Sequence, residues 1–585
     1  MLFSRRQFFV SFAALELNRL ASPLAEFLSV QAAADVLIVG GSFGGVAAAL
    51  SAARMGCRVI LTEETEWIGG QATTQGVPLD EHPWIEEFGR TSSYAQFRSG
   101  VRSYYRKNYP LSAQARADAQ FNPGACWVSA CGFEPRVGLA VLHQMLAPFL
   151  ASGQIRLYTR TIAETVERRG DLVGEVVLKC LESNERLAVH APYVLDATEL
   201  GDLLPLAGVE FVTGSESAAD TDEPSASATA LPQMMQGFTH LLAVDYLPDE
   251  DHTVTRPPRY DEMRPHFKSL VGEVATHDDE LTIRGRRLFS PPAEGHYESS
   301  IWNFRRVLCA SNFAAGAFQS DVTMMMNGNE CDNLPIIGVD DATRRANLEY
   351  GRQLSLSLLY FLQTEVQPGN NGKPGFRGLR ARGDQFGTLD GLAQHPYIRE
   401  SRRIRSEFTV LEQHFRVDSR PTGPMPYPDS VGLSGYRMDI HQPSGKGQSM
   451  TLSLNGHHWV QQIPLGALLP VRVENLLPAC KNLGTTHITN GAFRVHPTEW
   501  NIGESAGALA AFCVQRKVPP RQVRGKPSLL DDFQRQLGRL GVQLQWPETL
   551  VAQSYNSMYA NVPDWYFGEA RLRFTPEGTL RRDYQ

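Results

Sequence analysis

Apolar and polar positions change rhythm several times along the 585-residue chain. Val36-Leu37-Ile38-Val39 is apolar at every position, which predicts a parallel strand covered on both faces. A glycine cluster follows, then the alanine-rich helical stretch VAAALSAARMG, stopped by Gly56. A second apolar run, Val59 to Leu61, ends at Glu63. Further on, HLLAVDYL from His240 predicts a strand. Gly295 to Leu308 alternates aromatic and polar residues, as a sheet facing a pocket does. Leucines at helical spacing predict a packing helix over Ala342 to Glu365. An amphipathic helix is also expected over 528–541. Ser215 to Thr229 is small and polar and predicts a surface loop.

The opening strand, turn, helix and strand form the unit that holds a dinucleotide. Gly40 permits a tight turn, Gly41 and Gly44 keep the cluster open, and Gly45 lets the helix pack on the strand. Position 42 must be small so that backbone can approach a pyrophosphate. Ser42 meets that need and adds a hydroxyl. The helix N-terminus offers free N–H groups and partial positive charge to the anion. Glu63, with Glu64 beside it, stands where an acid accepts from ribose hydroxyls and repels an additional ribose phosphate. That disfavours NADP. Gly432 to Gly435 and Gly383 to Gly391 lack the strand, helix and acid of a second such unit.

Gly69-Gly70-Gln71, soon after the acid, resembles the extended fingerprint of FAD enzymes of the glutathione-reductase type. Asp196-Ala197-Thr198 resembles their D-A-T-G strand end, with Glu199 at the place of the glycine and Gly201-Asp202 supplying the next pair. Asn475 to Phe512 resembles the closing strand and flavin-facing helix, whose small face is Gly503, Ala506 and Gly507. Ala479-Cys480-Lys481-Asn482 departs from the usual glycine followed by Asp or Arg, leaving Asn482 or Lys481 to meet the ribityl chain. Pro396 to Ile404 (PYIRESRRI) and Asp429 to His441 (DSVGLSGYRMDIH) resemble segments of a large bacterial group of FAD-dependent oxidoreductases, and the likeness runs from about Asp35 to Val514. It implies bound FAD and an α/β fold: a glutathione-reductase-like Rossmann domain with an inserted mixed α+β substrate domain. The expected segments are 35–210 and 461–520 for the FAD-binding domain, 211–460 for the substrate domain and 521–585 for a C-terminal extension.

With FAD, the flavin accepts a hydride and the protein moves the proton. His441, His487 and His496 lie in the segments carrying the resemblance, and each is either a base or a hydrogen-bonded structural histidine. Glu499 is a further base candidate. Arg494, just before the flavin-facing helix, adds positive charge beside the flavin's N1–C2=O edge. Arg399 and Arg402 either clamp a substrate carboxylate or form an ion-pair network with Glu400. Asn327, Asn329, Glu330, Asp332 and Asn333 either bind a hydroxylated substrate or cap a turn. The expected reaction is oxidation of a small polar organic molecule, with oxygen, a quinone or a protein as electron acceptor. A reductase fed by an external donor, and a protein using FAD structurally, are the alternatives.

Net charge is −7, and no long basic run is present, so a nucleic acid partner is not expected. No apolar run reaches the ~20 residues that span a bilayer. The 8 cysteines form no C-x-x-C and no zinc-ligand spacing, so no metal site is expected. Ser4-Arg5-Arg6-Gln7-Phe8-Phe9 resembles a twin-arginine export signal, with a leader over 1–34 cut near Ala32-Ala33-Ala34. That implies export to the periplasm; without it the cytoplasm is expected.

Overall fold

The computed structural model describes residues 30–272, 282–283, 286–289, 300–332, 334–366, 374–441, 458–557, 571–574 and 580–583. The twin-arginine stretch lies outside the described residues. Five short parallel strands organise the fold: β1 (Val36–Val39), β2 (Val59–Thr62), β3 (Ile155–Tyr158), β4 (Tyr193–Asp196) and β5 (Leu476–Pro478), in the order β5-β4-β1-β2-β3. β1 and β2 are buried at every position, which is what an unbroken apolar run requires. Val39 pairs with Asp196, and Asp196 with Pro478, so β1, β4 and β5 end side by side. Sites in parallel sheets form at such carboxyl ends.

Helix α1 (Phe43–Arg54) leaves β1 through the glycine turn, and the Ser42 hydroxyl caps it by accepting from Gly45 N–H at 3.1 Å. Two later helices complete the region: α2 (His487–Phe493) and α3 (His496–Arg516). α3 is buried from His496 to Cys513 and packs along α1. The contact is backbone to backbone. A Cβ on Gly503 would sit 1.9 Å from the Gly44 carbonyl, and one on Gly507 2.2 Å from that of Ala48. Gly503 therefore serves the helix crossing rather than meeting a cofactor, and Ala506 lies in the same core, fully buried.

A second sheet, ordered Val30–Ala33, Arg186–His190, Leu172–Cys180 and Thr161–Arg169, lies beside this one. Val30–Ala33 pairs in parallel with Arg186 to His190, so residues assigned to the leader are placed in a sheet. The middle of the chain forms its own core, where strands Arg306–Leu308, Val322–Met325, Leu242–Tyr246 and Leu379–Ala381 share one sheet. Helix Asp341–Thr364 packs Leu354, Leu358, Leu359 and Leu362 into that core, as its leucine spacing predicts.

Two middle segments differ from expectation. Ser300 caps a helical turn, Ile301–Phe304, through a reciprocal bond with Asn303, so among the described residues of the alternating stretch only Arg306–Leu308 is a strand. Ser215 to Thr229 is not merely a surface loop: Glu223 is 3% exposed and its carboxylate accepts from the Thr486 hydroxyl at 2.7 Å. Asn329 is buried and ties the His240 carbonyl to Ser355, a structural role, and Asn333 of the same polar cluster lies outside the described residues.

Candidate functional site

The glycine turn opens on a cleft of about 700 Å³ at the carboxyl ends of β1 and β4. Gly40 has φ +101° and an added Cβ would lie 2.3 Å from the Ala197 carbonyl, so no other residue fits there. The Glu63 carboxylate accepts from Gly41 N–H at 2.9 Å and from Thr65. Burial, and then the neighbouring Glu64, pushes its pKa up to about 7. Glu64 pairs with His395 at 3.2 Å, and both line the cleft. His395 was not singled out in the sequence. No local motif marks a histidine so far from its partner in the chain. Gly69 N–H donates to the Gly41 carbonyl at 2.7 Å, which joins the two glycine segments.

The wall beyond Gly70 holds a buried charge cluster. Lys481 pairs with Glu199, and with Glu499 at 3.5 Å. Against burial, these carboxylates hold the Lys481 ammonium above the ordinary lysine range. Glu499 also accepts from Gly44 N–H at 3.0 Å, so an α3 carboxylate caps the first turn of α1. Gln71 joins the Arg494 carbonyl to Glu499, and its own Oε1 is buried without a partner. Glu199, Cys480 and Glu499 bring ligand atoms within 4.8 Å of one another, and the lysine supplies the cation there.

Two expected cofactor contacts, Asn482 and Asp202, are occupied otherwise. Asn482 donates to the Asp196 carbonyl at 3.0 Å and accepts from Cys480 N–H, which fastens the ends of β4 and β5. Asp202 pairs with Arg402 at 2.8 Å and Arg344 at 3.2 Å at the cleft wall. Arg402 is therefore no free carboxylate clamp. Asp196 accepts twice from Thr198 through Oδ1, while its Oδ2 is buried without a partner. The glycine cradle, the acid ending β2 and these unpartnered atoms fit a dinucleotide running along Gly40, Ser42, Ala197 and Thr198.

α2 carries a second group of buried polar side chains, linked to the first by Gln71, which donates to the Arg494 carbonyl at 2.8 Å. His487, Asn490 and Arg494 recur at i, i+3 and i+7, on one stripe of the helix. All three reach one segment, Tyr397 to Glu400. His487 Nδ1 lies 2.9 Å from Glu400, Asn490 donates to the Arg399 carbonyl at 3.0 Å, and Arg494 donates to the Tyr397 hydroxyl at 2.6 Å. Each also has a buried polar atom without a partner: His487 Nε2, Asn490 Oδ1 and Arg494 Nε. Arg494 further binds Asp439 at 2.9 Å, and Asp439 lies 3.4 Å from His441 Nε2. The His441 side chain is 33% exposed, and burial, then Arg399, moves its pKa below the usual histidine value. His441 N–H donates to Gln236 Oε1, and Gln236 N–H to Glu400, which closes the ring of contacts. Glu400 pairs with Arg403 and His487, not with Arg399 or Arg402.

His496 sits apart from this ring, in the first turn of α3. Its Nδ1 accepts from Asp80 N–H at 3.1 Å, and burial lowers its pKa to about 4. The neutral ring therefore keeps its proton on Nε2, which is buried and unpartnered: a donor, not a base.

A family model described as FAD dependent oxidoreductase matches residues 35–537. No curated protein matches the chain. Among solved structures, a myxobacterial chondrochloren halogenase is 10% identical, with 87% of this chain and 79% of that chain covered, at a TM-score of 0.31. The glycerol-3-phosphate dehydrogenase of Bacillus halodurans, solved with FAD, is 14% identical over 36% of this chain and 40% of that one, at a TM-score of 0.21. The L-proline dehydrogenase of P. horikoshii is 17% identical over 32% of this chain and 24% of that one, at a TM-score of 0.17. The chain thus spans less than half the length of either dehydrogenase.

Proposed function

The chain belongs to the FAD-dependent oxidoreductase family, with FAD as its cofactor, and we propose that it oxidises a small polar organic substrate by removing a hydride from a C–H bond. FAD supplies the hydride acceptor, at flavin N5. The protein's part is to hold the substrate and take its proton. The observation that carries this reading is the α2 stripe, where three buried polar side chains face Tyr397 to Glu400 with atoms left unpaired. A buried polar atom left unpaired calls for an explanation, and a catalytic role or a bound ligand is one such.

His441 is the base in this reading. Its lowered pKa leaves the ring neutral and able to accept a proton at neutral pH. Asp439 orients it and stabilises the charge that forms, and partial exposure lets the proton leave to water. Glu400 fixes the His487 ring so that Nε2 faces the unpaired group of atoms as a hydrogen-bonding partner for the substrate. Arg494 holds Asp439 and Tyr397 in place. Oxygen, a quinone or a protein then removes the electrons.

Anaerobic mixing of the FAD-loaded protein with alcohols, amines, hydroxy acids and amino acids tests the reading. Bleaching of the visible flavin band by at least one of them is expected. A flavin untouched by all of them, yet re-oxidised by an unsaturated compound after chemical reduction, makes the protein a reductase instead.

A further inference from the structure

Arg399 is a buried cation that no carboxylate contacts among the described residues. Its side chain is 0% exposed, and Nη1 donates only to the neutral Gly237 carbonyl at 2.6 Å and the Thr239 hydroxyl at 3.0 Å. Nε and Nη2 are buried with no partner. Among the described residues no carboxylate forms an ion pair with it. Glu330 and Asp439 act on it only through space, without an ion-pair contact, and the nearer acids are engaged elsewhere: Asp439 with Arg494 and His441, Glu400 with Arg403 and His487. The guanidinium stacks over Tyr397 at 4.5 Å, which fixes its plane.

A buried, unpaired guanidinium is strongly unfavourable unless an anion joins it. Two further unpartnered donors belong to the same ring of contacts, beside one unpartnered acceptor, Asn490 Oδ1. Arg494 Nε and Gln236 Nε2 are buried N–H donors with nothing to bind. Both side chains belong to the ring of contacts that includes Arg399. Gln236 directly precedes Gly237, which binds Arg399, and Arg494 approaches the same Tyr397 ring at 6.0 Å. A planar guanidinium with adjacent Nε and Nη2 matches the two oxygens of a carboxylate.

We propose that the substrate oxidised in the reading above is a carboxylic acid, held by its carboxylate on Nε and Nη2 of Arg399, with Arg494 and Gln236 donating to the same group. The clamp fixes which carbon of the acid faces the flavin. Arg399 is a binding residue here, and it takes no proton.

The test titrates the FAD-loaded protein with acetate, benzoate and succinate, and separately with acetamide, benzamide and succinamide, following the flavin absorption and the heat of binding. At least one acid is expected to bind while its amide does not. Arg399→Gln is expected to weaken that acid by about 30-fold or more, the scale for unpairing a buried charge. Arg399→Lys is expected to recover part of the affinity, because it keeps the charge and loses the fork. The proposal is overturned if no acid binds, if acids and amides bind alike, or if Arg399→Gln binds the acid as tightly as the parent. It is also overturned if Arg399→Gln alters the flavin spectrum without any acid and leaves acid binding intact, since the arginine would then serve the flavin. A protein that binds acids but whose flavin no substrate bleaches fails the oxidation reading alone, so the two failures are distinguishable.

Discussion

Gly503→Ala is a sharp perturbation, because the structure gives both its direction and its size. The new Cβ would lie 1.9 Å from the Gly44 carbonyl and 2.6 Å from its Cα, against a floor of 3.0 Å for real contacts. The obstacle is helix backbone, which cannot swing aside. α1 and α3 must therefore separate by about 1 Å, and overpacking of this kind costs about 2–3 kcal/mol. The apoprotein melting temperature should fall by roughly 2 °C, the shift such a cost gives in a chain of this length. The same shift withdraws Gly44 N–H from Glu499 and moves the glycine turn away from its wall. FAD affinity should drop about tenfold, because a displaced glycine turn loses about one backbone hydrogen bond to the pyrophosphate, worth ~1.5 kcal/mol. Differential scanning calorimetry of the apoprotein and fluorescence titration with FAD measure the two effects. If only FAD affinity falls while the apoprotein melts as before, Gly503 touches the cofactor and the packing explanation is wrong.

Three further outcomes follow from the same geometry. His441→Asn should remove the acidic limb of the kcat/KM pH profile. In the parent, that limb lies below the usual histidine pKa, because burial and Arg399 favour the neutral ring and activity is lost only as it protonates. Glu63→Gln should flatten the pH dependence of apoprotein stability. The folded pKa of Glu63 is raised to about 7, so its contribution is full below its ordinary value and is lost as pH rises through 7, which chemical denaturation at several pH values reads out. Lys481→Ala should destabilise the apoprotein by about 3–5 kcal/mol in the same assay by leaving Glu199 and Glu499 unpaired, and adding Glu199→Gln should restore part of the loss.

What the sequence displays depends on the range of the interactions involved. The strand, glycine turn and α1 were legible because each rests on neighbours: an unbroken apolar run, Ser42 capping Gly45, and an acid at the end of the next strand. Helix Asp341–Thr364 declared itself by periodicity, and α3 by its resemblance to a flavin-facing helix. The partnerships that make the site span long separations. His487, Asn490 and Arg494 meet Tyr397, Arg399 and Glu400 across some ninety residues, and Glu499 caps Gly44 across 455. No spacing rule relates such residues. Gly503 and Asn482 sat within recognisable motifs, yet their motifs do not say which side of the helix or turn faces the cleft. Glu223 was hidden for a different reason: its surroundings are small and polar, and only tertiary contact with Thr486 and Glu412 buries it.

Removal of a hydride is tested most directly by a single turnover with a substrate that bleaches the flavin, compared with the same compound deuterated at the reacting carbon. Mixed anaerobically with FAD-loaded protein, the deuterated compound should bleach the flavin several-fold more slowly, and His441→Asn should slow both. Bleaching at equal rates for the two compounds under these conditions, with mixing and binding shown to be faster, would contradict C–H cleavage as the step this site performs.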